Sequence, residues 1–299
     1  MERRQVLLVD AFADEPLAGV PVVVAPDGEW TDSQLRSVAG ELGTCGAVTT
    51  DEDRLQYAER AGFHAPASAA VAGCTGLLEQ GVIEPGASTL TVEHHGETSE
   101  FDVSIGADRE VTITVPTQQV EDVGVSTGEI ATALGVDENA LADVGADLPP
   151  GRIGGFGGTL LVPVNFLQHL GSASPPTEAL TRLFEETETS RAFVFTFDTL
   201  AADTNVHARI FSESEGISAG TERPASGVAA ACCGAYLSHH AAFDADRERI
   251  RIESGHFLDR PATLSVTLTQ TPQVSGHALI TLDGQITVPQ DDDDEIIEV

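Results

Sequence analysis

A short segment rich in small residues occurs twice in this chain, once in each half. PASAAVAGCTGLL begins at Pro66 and PASGVAAACCGAY begins at Pro224, and the two align without a gap at Pro, Ala, Ser, Cys and Gly. Proline tolerates the first turn of a helix, and serine can accept a hydrogen bond from a backbone N–H that the helix leaves unsatisfied. Each segment therefore predicts the start of a closely packed helix. One such helix per half predicts two similar domains that arose by duplication.

The length of the chain agrees with this duplication. Its 299 residues exceed the size that one ordinary hydrophobic core serves, so two domains of similar size are expected. We predict a first domain at 1–118, a second at 119–275, and a strand at about 276–288 that returns to the first domain. The terminal residues 289–299, which contain DDDDEIIEV, are predicted to be a solvated acidic tail.

Segments typical of strands outnumber those typical of helices. β-branched runs such as QVLLVDAF, VPVVVAP and EVTITVP alternate with turn residues, while Ser126 and either Asp32 or Ser33 are predicted to cap additional helices. Strands and helices do not alternate regularly, which predicts an α+β fold with mostly antiparallel sheets rather than a dinucleotide-binding sheet. The glycine-rich stretch GRIGGFGGT leads into a strand instead of a helix, so we interpret it as a flexible loop.

The charge of the chain is strongly negative, and all of its basic residues are arginine. Its 48 acidic and 15 basic residues give a net charge of −33. In concentrated salt the Debye length falls to about 3 Å, so dense carboxylates repel each other less and hold a hydrated surface. We therefore predict a salt-adapted protein. Binding to nucleic acid is not expected, because there is no basic stripe to neutralise phosphates.

Neither a signal peptide nor a membrane span is recognisable in the sequence. MERR is followed by a short apolar run that soon becomes acidic, and no stretch reaches the roughly 18 apolar residues that cross a bilayer. A cytoplasmic protein that does not bind membranes is expected. The four cysteines lack CxxC spacing, and three of them lie in the small-residue helices, which predicts buried thiols and no metal site.

The starts of the two small-residue helices are the first candidate ligand site. Helix N-termini favour anions, and in a pair of related domains both would face one cleft. Ser68 and Ser226 occupy the same position of the repeat, and each could donate a hydrogen bond to a carboxylate or a phosphate. The alternative is that each serine caps its own helix.

Several segments, taken in order, resemble a known enzyme family. VDAFADEPLAGVPVVV, AGELGTCGAV, FGGTLLVPV, VHARIFSESEG, GTERPASGVAAACCGAYL and ESGHFLDRPATLSV together look like the phenazine-biosynthesis isomerase (PhzF) family, over roughly Val6 to Ile286. The resemblance implies a diaminopimelate-epimerase-like fold: two pseudo-symmetric domains, each a curved sheet around a central helix, with a cleft between them. It also implies a cofactor-independent isomerase, in many members a homodimer, that moves a proton within a small cyclic acid.

The catalytic positions that the resemblance implies carry different residues here. Where the family has its general acid/base glutamate, in a pattern like ARELxLSE, this chain has Gly46. The family's histidine, in a pattern like CGHAT, falls on Ser68, and the aspartate and serine of EDPATGSAA fall on Arg223 and Val228. A shift of the alignment around the first repeat would place His64 at the histidine position instead.

These replacements change what the expected cleft can do. Gly46 has no group that exchanges a proton, and the guanidinium of Arg223 stays protonated, so neither can act as the base. Arginine does suit a carboxylate, which it binds through two parallel hydrogen bonds. Ser68, Arg223, Ser226 and Gly227 are therefore the candidate ligand-binding residues, with no cofactor and no metal. The alternative is that Arg223 points outward or pairs with a neighbouring acid.

Three functions remain open at this point. The leading hypothesis is a PhzF-like protein whose cleft binds a small acidic metabolite but which has lost or changed the family's catalysis, alone or as an inactive partner of an active relative. The second is an active isomerase or epimerase that uses Glu41, Cys45, His64 or Glu222 instead of the family's residues. The third is a structural or interaction subunit with a closed, apolar cleft.

Overall fold

The computed structural model of the chain describes residues 2–26, 30–51, 54–60, 65–94, 97–142, 144, 148–214 and 217–288. The strands in these residues are β1 (Glu2–Ala11), β2 (Val20–Val24), β3 (Gly46–Asp51), β4 (Arg54–Glu59), β5 (Ala87–His94), β6 (Glu97–Ile105), β7 (Val111–Thr114), β8 (Val120–Asp122), β9 (Gly151–Ile153), β10 (Thr159–Pro163), β11 (Arg191–Thr196), β12 (Val206–Ser214), β13 (Ile217–Arg223), β14 (Arg249–Ser254), β15 (Ala262–Thr267), β16 (Gln273–Gly276) and β17 (Ala278–Val288). The helices are α1 (Asp32–Glu41), α2 (Pro66–Glu79), α3 (Thr127–Leu134), α4 (Glu138–Ala142), α5 (Leu167–Ser172), α6 (Thr177–Thr187) and α7 (Gly227–His239), with a short 3₁₀ helix at His256–Leu258.

The strands form one connected, mostly antiparallel sheet, so the predicted α+β fold is confirmed. Parallel pairs occur only where a helix lies between the two strands, as in β4–α2–β5 in the first half and β12–α7–β14 in the second. β7 pairs with β16 and thereby joins the two halves. β17 pairs with β1 along its length, which places the end of the described chain beside its start. The domain boundaries at 118 and 275 stay a prediction.

The helices α2 and α7, which carry the repeated segment, are buried on nearly all sides. Of their 14 and 13 residues, 11 are buried in each helix. Such helices need apolar neighbours all round, and strands of both halves supply them. A Cβ on Gly76 would lie 3.0 Å from Cγ1 of Val24, and a Cβ on Gly234 would lie 2.5 Å from Cγ1 of Val266. The aligned glycines therefore let each helix approach a strand closely.

The starts of α2 and α7 touch each other across the boundary between the halves. An added Cβ on Gly227, the first residue of α7, would lie 2.2 Å from the Cβ of Ala67 on α2. It would also lie within 3.6 Å of the ring of Phe12. A residue larger than glycine does not fit here unless the two helices move apart.

The remaining helices pack against strands of this sheet that are paired on both sides. α3, α4, α5 and α6 share an apolar cluster with β10 and β11. α1 begins with a capping box between Thr31 and Gln34, so the predicted cap at Asp32 or Ser33 is wrong by one or two residues. Ser126 caps α3 as predicted. Several small polar residues stand at the start of α1. Thr31 is in the extended backbone conformation that an N-cap adopts, and it caps the helix.

A buried ion pair ties the turn after β1 to the second half. Arg260 donates from Nη2 to Oδ1 of Asp10 at 2.8 Å and from Nε to the carbonyl oxygen of Gly19 at 2.9 Å. Burial raises the pKa of Asp10, although the charge of Arg260 opposes this rise. Loss of Arg260 would leave the carboxyl group of Asp10 buried without its counter-charge, which is strongly destabilising.

A buried histidine–carboxylate pair joins β12 to β14. Nδ1 of His207 lies 2.8 Å from Oε1 of Glu253. The Glu253 carboxylate also accepts hydrogen bonds from the backbone N–H groups of Leu200 at 2.6 Å and Ala201 at 3.1 Å, and from the hydroxyl of Thr204 at 2.9 Å. Burial lowers the pKa of His207, and the charge of Glu253 offsets only part of this shift. Burial alone would raise the pKa of Glu253, but its hydrogen bonds outweigh burial and lower it.

As predicted, the cysteines are free, buried thiols; they are Cys45, Cys74, Cys232 and Cys233.

Within the described ranges, no helix combines the length and the apolar character needed to cross a membrane. The same part of the chain contains no group of three or more His, Cys, Asp or Glu side chains that could hold a metal ion.

Replacing Gly227 by alanine is expected to destabilise the protein, because the added methyl group would overlap Ala67 at the contact between the central helices. We expect the free energy of unfolding to fall by about 1–3 kcal/mol, the usual cost of overpacking a core. Gly40→Ala is the matched control, since nothing lies within 4 Å of a Cβ at Gly40 and alanine favours a helix interior. Urea unfolding measures both; a Gly227→Ala protein as stable as the wild type would contradict the close contact.

Stability is expected to fall as the pH drops below 6.5, the ordinary pKa of histidine. Because the folded pKa of His207 is lowered, its contribution is complete above the unfolded pKa and is lost as the pH falls toward the folded pKa. Glu253, whose pKa is also lowered, adds a second loss below 4.5. His207→Gln should flatten the upper part of the curve of unfolding free energy against pH.

The control for this prediction is His277→Gln, at an exposed position, which should leave the curve unchanged. A His207→Gln protein that retains the wild-type slope just below pH 6.5 would show that another group causes it.

Candidate functional site

The ring of Tyr57 fills the space that a side chain at Gly46 would need. A Cβ on Gly46 would lie 2.4 Å from Cε2 of Tyr57 and 2.7 Å from the carbonyl oxygen of Ala58. Tyr57 is buried and donates a hydrogen bond from its hydroxyl to the carbonyl oxygen of Cys45 at 3.1 Å. A glutamate at position 46 therefore requires that Tyr57 move. The packing of Tyr57 on β4 against β3 thus requires glycine at position 46.

Cys45 and Tyr57 both stay protonated near neutral pH. Burial raises the pKa of the Cys45 thiol and raises the pKa of the Tyr57 hydroxyl well above its ordinary value. The positive charge of Arg223 opposes both shifts, so this arginine acts on them from nearby. Neither group is a base at neutral pH, since each would have to lose a proton inside an apolar environment.

Arg223, the last residue of β13, brings its positive charge close to Cys45 and Tyr57 from the second half. Its Nε donates a hydrogen bond to Oγ of Ser212 at 2.8 Å. The pKa of Arg223 is lowered to about 10, chiefly by burial and in smaller part by the positive charges of Arg191 and Arg60, while Cys45 and Tyr57 oppose the shift. Arg60 follows β4 in the first half, whereas Arg191 opens β11 in the second. We call Arg60, Arg191 and Arg223 the arginine cluster; it lies where the two halves meet.

Arg191 is the most deeply buried member of the arginine cluster. It is 6% exposed, and its Nη2 donates to the carbonyl oxygen of Phe156 at 2.5 Å. Its Nη1 is buried and has no hydrogen-bond partner among the residues that the structure describes. Burial lowers the pKa of Arg191, while Cys232 and the buried Glu59 oppose this shift. An unsatisfied buried donor costs about 1–3 kcal/mol, and more when it is charged, so an acceptor placed here is strongly favoured.

The glycine-rich loop after β9 links the arginine cluster to the first half. Gly155, Phe156, Gly157 and Gly158 all have positive φ, which turns the loop sharply before β10. The ring of Phe156 lies 5.2 Å from the ring of Phe101 on β6, measured between centroids. The same residue accepts the hydrogen bond from Arg191. The loop predicted to be flexible therefore makes contacts with both halves.

The residues predicted at the helix starts differ in their roles. Ser226 is the N-cap of α7 and accepts a hydrogen bond from a backbone N–H of its own helix, so the capping alternative is correct for this serine. That alternative is wrong for Ser68, because the N-cap of α2 is Ala65 and Ser68 lies inside the first turn. Oγ of Ser68 is buried and lacks a partner within the described residues. Gly227 and Val228 are buried at the start of α7.

Among the predicted substitutes for the catalytic residues, Cys45 lies beside the arginine cluster. Glu41 is exposed at the end of α1. The carboxylate of Glu222 accepts hydrogen bonds from Arg209, from Nε at 3.0 Å and Nη2 at 2.7 Å. Neighbouring residues of a strand point to opposite faces, so Glu222 forms this ion pair on the face away from its neighbour Arg223. His64 lies outside the described residues.

The sequence interpretation does not include Tyr57, Glu59 or Arg191. One signal was available, because an arginine stands directly before the apolar run AFVFTF and a glutamate stands in YAER at the end of a strand. Charged residues next to apolar runs are buried only when they are paired or functional. The contact of Tyr57 with Gly46 carries no sequence signal, since it depends on the register between β3 and β4.

Comparison with known proteins agrees with this fold. The sequence profile of the PhzC-PhzF family, described as phenazine biosynthesis-like protein, matches residues 63–284. An uncharacterized isomerase of Bacillus subtilis, YfhB, is 23% identical over 294 residues, which cover 95% of this chain and 96% of that protein. A crystal structure of the PhzF-family phenazine biosynthesis protein of Bacillus anthracis superposes with a TM-score of 0.78 at 22% identity, covering 96% of this chain and 100% of that one.

A second solved structure, described as a predicted epimerase of Pseudomonas aeruginosa, superposes with a TM-score of 0.71 at 20% identity, covering 96% of this chain and 100% of that one. These structures show the same fold. The family profile matches well over half of the chain. The chain therefore belongs to the PhzC-PhzF family of phenazine biosynthesis-like proteins.

Proposed function

We propose that this PhzF-family protein binds a small carboxylate at the arginine cluster and does not exchange a proton with it. The observation that carries the proposal is Nη1 of Arg191, a buried guanidinium nitrogen without an acceptor in the described residues. Arg223, at the end of β13, lies close enough to Arg191 for their charges to interact. The charge of Arg60, which follows β4, also acts on Arg223. Burial of the positive charge of Arg191 costs free energy, and Cys232 and Glu59 offset this cost only in part, since the pKa of Arg191 is still lowered.

A carboxylate suits the arginine cluster better than other small ligands. The planar guanidinium binds both oxygens of a carboxylate through two parallel hydrogen bonds. The protein as a whole carries a net charge of −33, which repels anions at long range. Affinity for an anion must therefore come from short-range hydrogen bonds within the site. This requirement favours a ligand small enough to reach Arg191, which is almost fully buried.

The absence of proton transfer follows from the groups at the family's catalytic positions. Gly46 has no side chain, and Tyr57 fills the space beside it. Cys45 and Tyr57 have raised pKa values and hold their protons. Val228 and Arg223 supply no base at the positions of the family's serine and aspartate. A bound acid would thus meet hydrogen-bond donors but no acceptor of its proton among these residues.

A second candidate function rests on Glu59. This carboxylate is buried at the end of β4 and acts on Arg191, Cys45 and Tyr57 through its charge. A buried carboxylate beside a ligand site is a candidate general base. If Glu59 has this role, the protein is an isomerase that uses a residue outside the family's pattern.

Benzoate is expected to bind the wild-type protein, and benzamide, its uncharged analogue, is expected to bind far more weakly. Arg223→Gln should weaken benzoate binding about ten- to hundredfold, the usual effect of losing a charge-assisted hydrogen bond. Isothermal titration calorimetry in chloride-free buffer measures both ligands. Arg109→Gln is the matched control, because Arg109 is exposed and pairs with Glu79 on the surface.

The thermal unfolding curve of each variant shows whether it is folded before it is titrated. Equal affinity for benzoate and benzamide, or an Arg223→Gln protein that binds benzoate like the wild type, would refute the carboxylate site. Failure of the wild type to bind any small acid would support the structural alternative, a closed subunit.

No deuterium is expected to enter a cyclic acid that is incubated with the protein in D2O. The test uses a dihydro-hydroxyanthranilate and follows its carbon-bound protons by NMR, because a proton shuttle leaves label in the substrate and simple binding does not. Wild type and Glu59→Gln are compared. Incorporation that the wild type catalyses and Glu59→Gln abolishes would establish the second candidate function and contradict the first.

A further inference from the structure

A cavity of about 430 Å³ opens on the second half of the molecule and shares no residue with the arginine cluster. Its walls are α5, the loop after β11 and the 3₁₀ helix. The residues that line it are Leu167, Gln168, Gly171, Leu200, His256 and Phe257. The volume is within the range of small-molecule sites, and the lining is mostly apolar with a single ionisable side chain.

Large apolar side chains at this cavity are unusually exposed. Leu200 is 60% exposed and Phe257 is 44% exposed, and Phe166, which precedes α5, is 58% exposed. Exposed apolar side chains that cluster around a concavity mark binding sites more often than single exposed ones do. In a chain with so many acidic residues, a cluster of this kind favours a ligand that is itself largely apolar.

Two imidazole nitrogens beside the cavity are buried without hydrogen-bond partners in the described part of the chain. They are Nδ1 of His256, which lines the cavity, and Nε2 of His207, which is fully buried. The two rings lie 4.9 Å apart between centroids. An unsatisfied polar atom in this setting costs free energy, which a ligand with one hydrogen-bonding group can recover.

Glu253 fixes both the chemistry of His207 and the shape of the cavity wall. Because Nδ1 of His207 donates to this carboxylate, Nε2 of the neutral ring carries a lone pair and accepts. Glu253 also receives the backbone N–H of Leu200, which it thereby holds in the wall. The cavity is preformed, so a ligand does not have to order the loop.

Arg209 supports the cavity from behind but offers it no charge. Its Nε and Nη2 bind Glu222, and its Nη1 donates to the carbonyl oxygens of Leu170, Gly171 and Ala173. Its guanidinium lies 4.6 Å from the centroid of the Phe257 ring, against which it packs. The positive charge is thus committed to the protein, which disfavours an anionic ligand here.

We propose that this cavity binds a small neutral aromatic molecule that carries one hydroxyl group. The aromatic ring contacts Leu200 and Phe257, and the hydroxyl forms a hydrogen bond with His256, behind which His207 lies. The carboxylate site at the arginine cluster does not enter this argument, so either site can be tested and can fail without the other.

Phenol and anisole are the probes, because they share a ring and differ in the hydroxyl hydrogen. Phenol is expected to bind about three- to tenfold more tightly than anisole, the range that one neutral hydrogen bond supplies. Binding is followed by NMR titration, in which the imidazole signals of His256 should shift with phenol. In His256→Phe, which keeps an aromatic ring but loses the nitrogen, the preference for phenol over anisole should disappear.

Leu200→Glu places a charge in the apolar wall and should weaken phenol binding at least about tenfold. Leu282→Glu is the matched control, since Leu282 is 43% exposed on β17 and does not line the cavity. Three results would each overturn the proposal: equal affinity for phenol and anisole, unchanged phenol binding by Leu200→Glu, or no binding of phenol by the wild type. Tighter binding of benzoate than of phenol at this cavity would overturn its neutral character.

Discussion

Ala67 of α2 packs directly on Gly227 of α7, and the two halves of the molecule meet around this contact. The approach is possible because α7 begins with a residue that has no side chain and α2 contributes only a methyl group. Both helices are otherwise encased in strands, so their mutual position also sets the position of the strands around them. The end of β4, with Arg60, and the end of β13, with Arg223, are brought together as a result. The arginine cluster is thus a consequence of how two small-residue helices pack.

The side chains around Gly46 and Arg223 are structurally consistent with one another. Tyr57 uses the space that Gly46 leaves, and Arg223 brings a positive charge close to the two protonated groups beside it. Under the proposed function, the guanidinium groups of the arginine cluster favour binding of an acid over removal of its proton.

At both candidate sites, buried donors or acceptors lack partners among the residues that the structure describes, and their chemistry distinguishes the two sites. Nη1 of Arg191 is charged, and it favours an anion. The free nitrogens of His207 and His256 belong to an apolar cavity whose nearby charges are neutralised within the protein, and they favour a neutral hydroxyl. In both places the protein accepts the cost of an unsatisfied polar atom, a feature that native structures rarely retain without a role.

The repeated segment, read by itself, determined that two helices of small residues would form the centres of two similar halves, because periodic small apolar residues after a proline favour buried helices in any context. The motifs that resemble the family were also evident from the sequence, whereas the assignment of the family's acid/base position to Gly46 stays a prediction. Only the tertiary structure decided the rest: that Ser226 caps its helix whereas Ser68 does not, that Tyr57 fills the space beside Gly46, and that Arg191 is buried with one guanidinium nitrogen lacking a partner in the described residues. These outcomes depend on strand register and on contacts between residues far apart in the chain, and local sequence preferences carry no information about either.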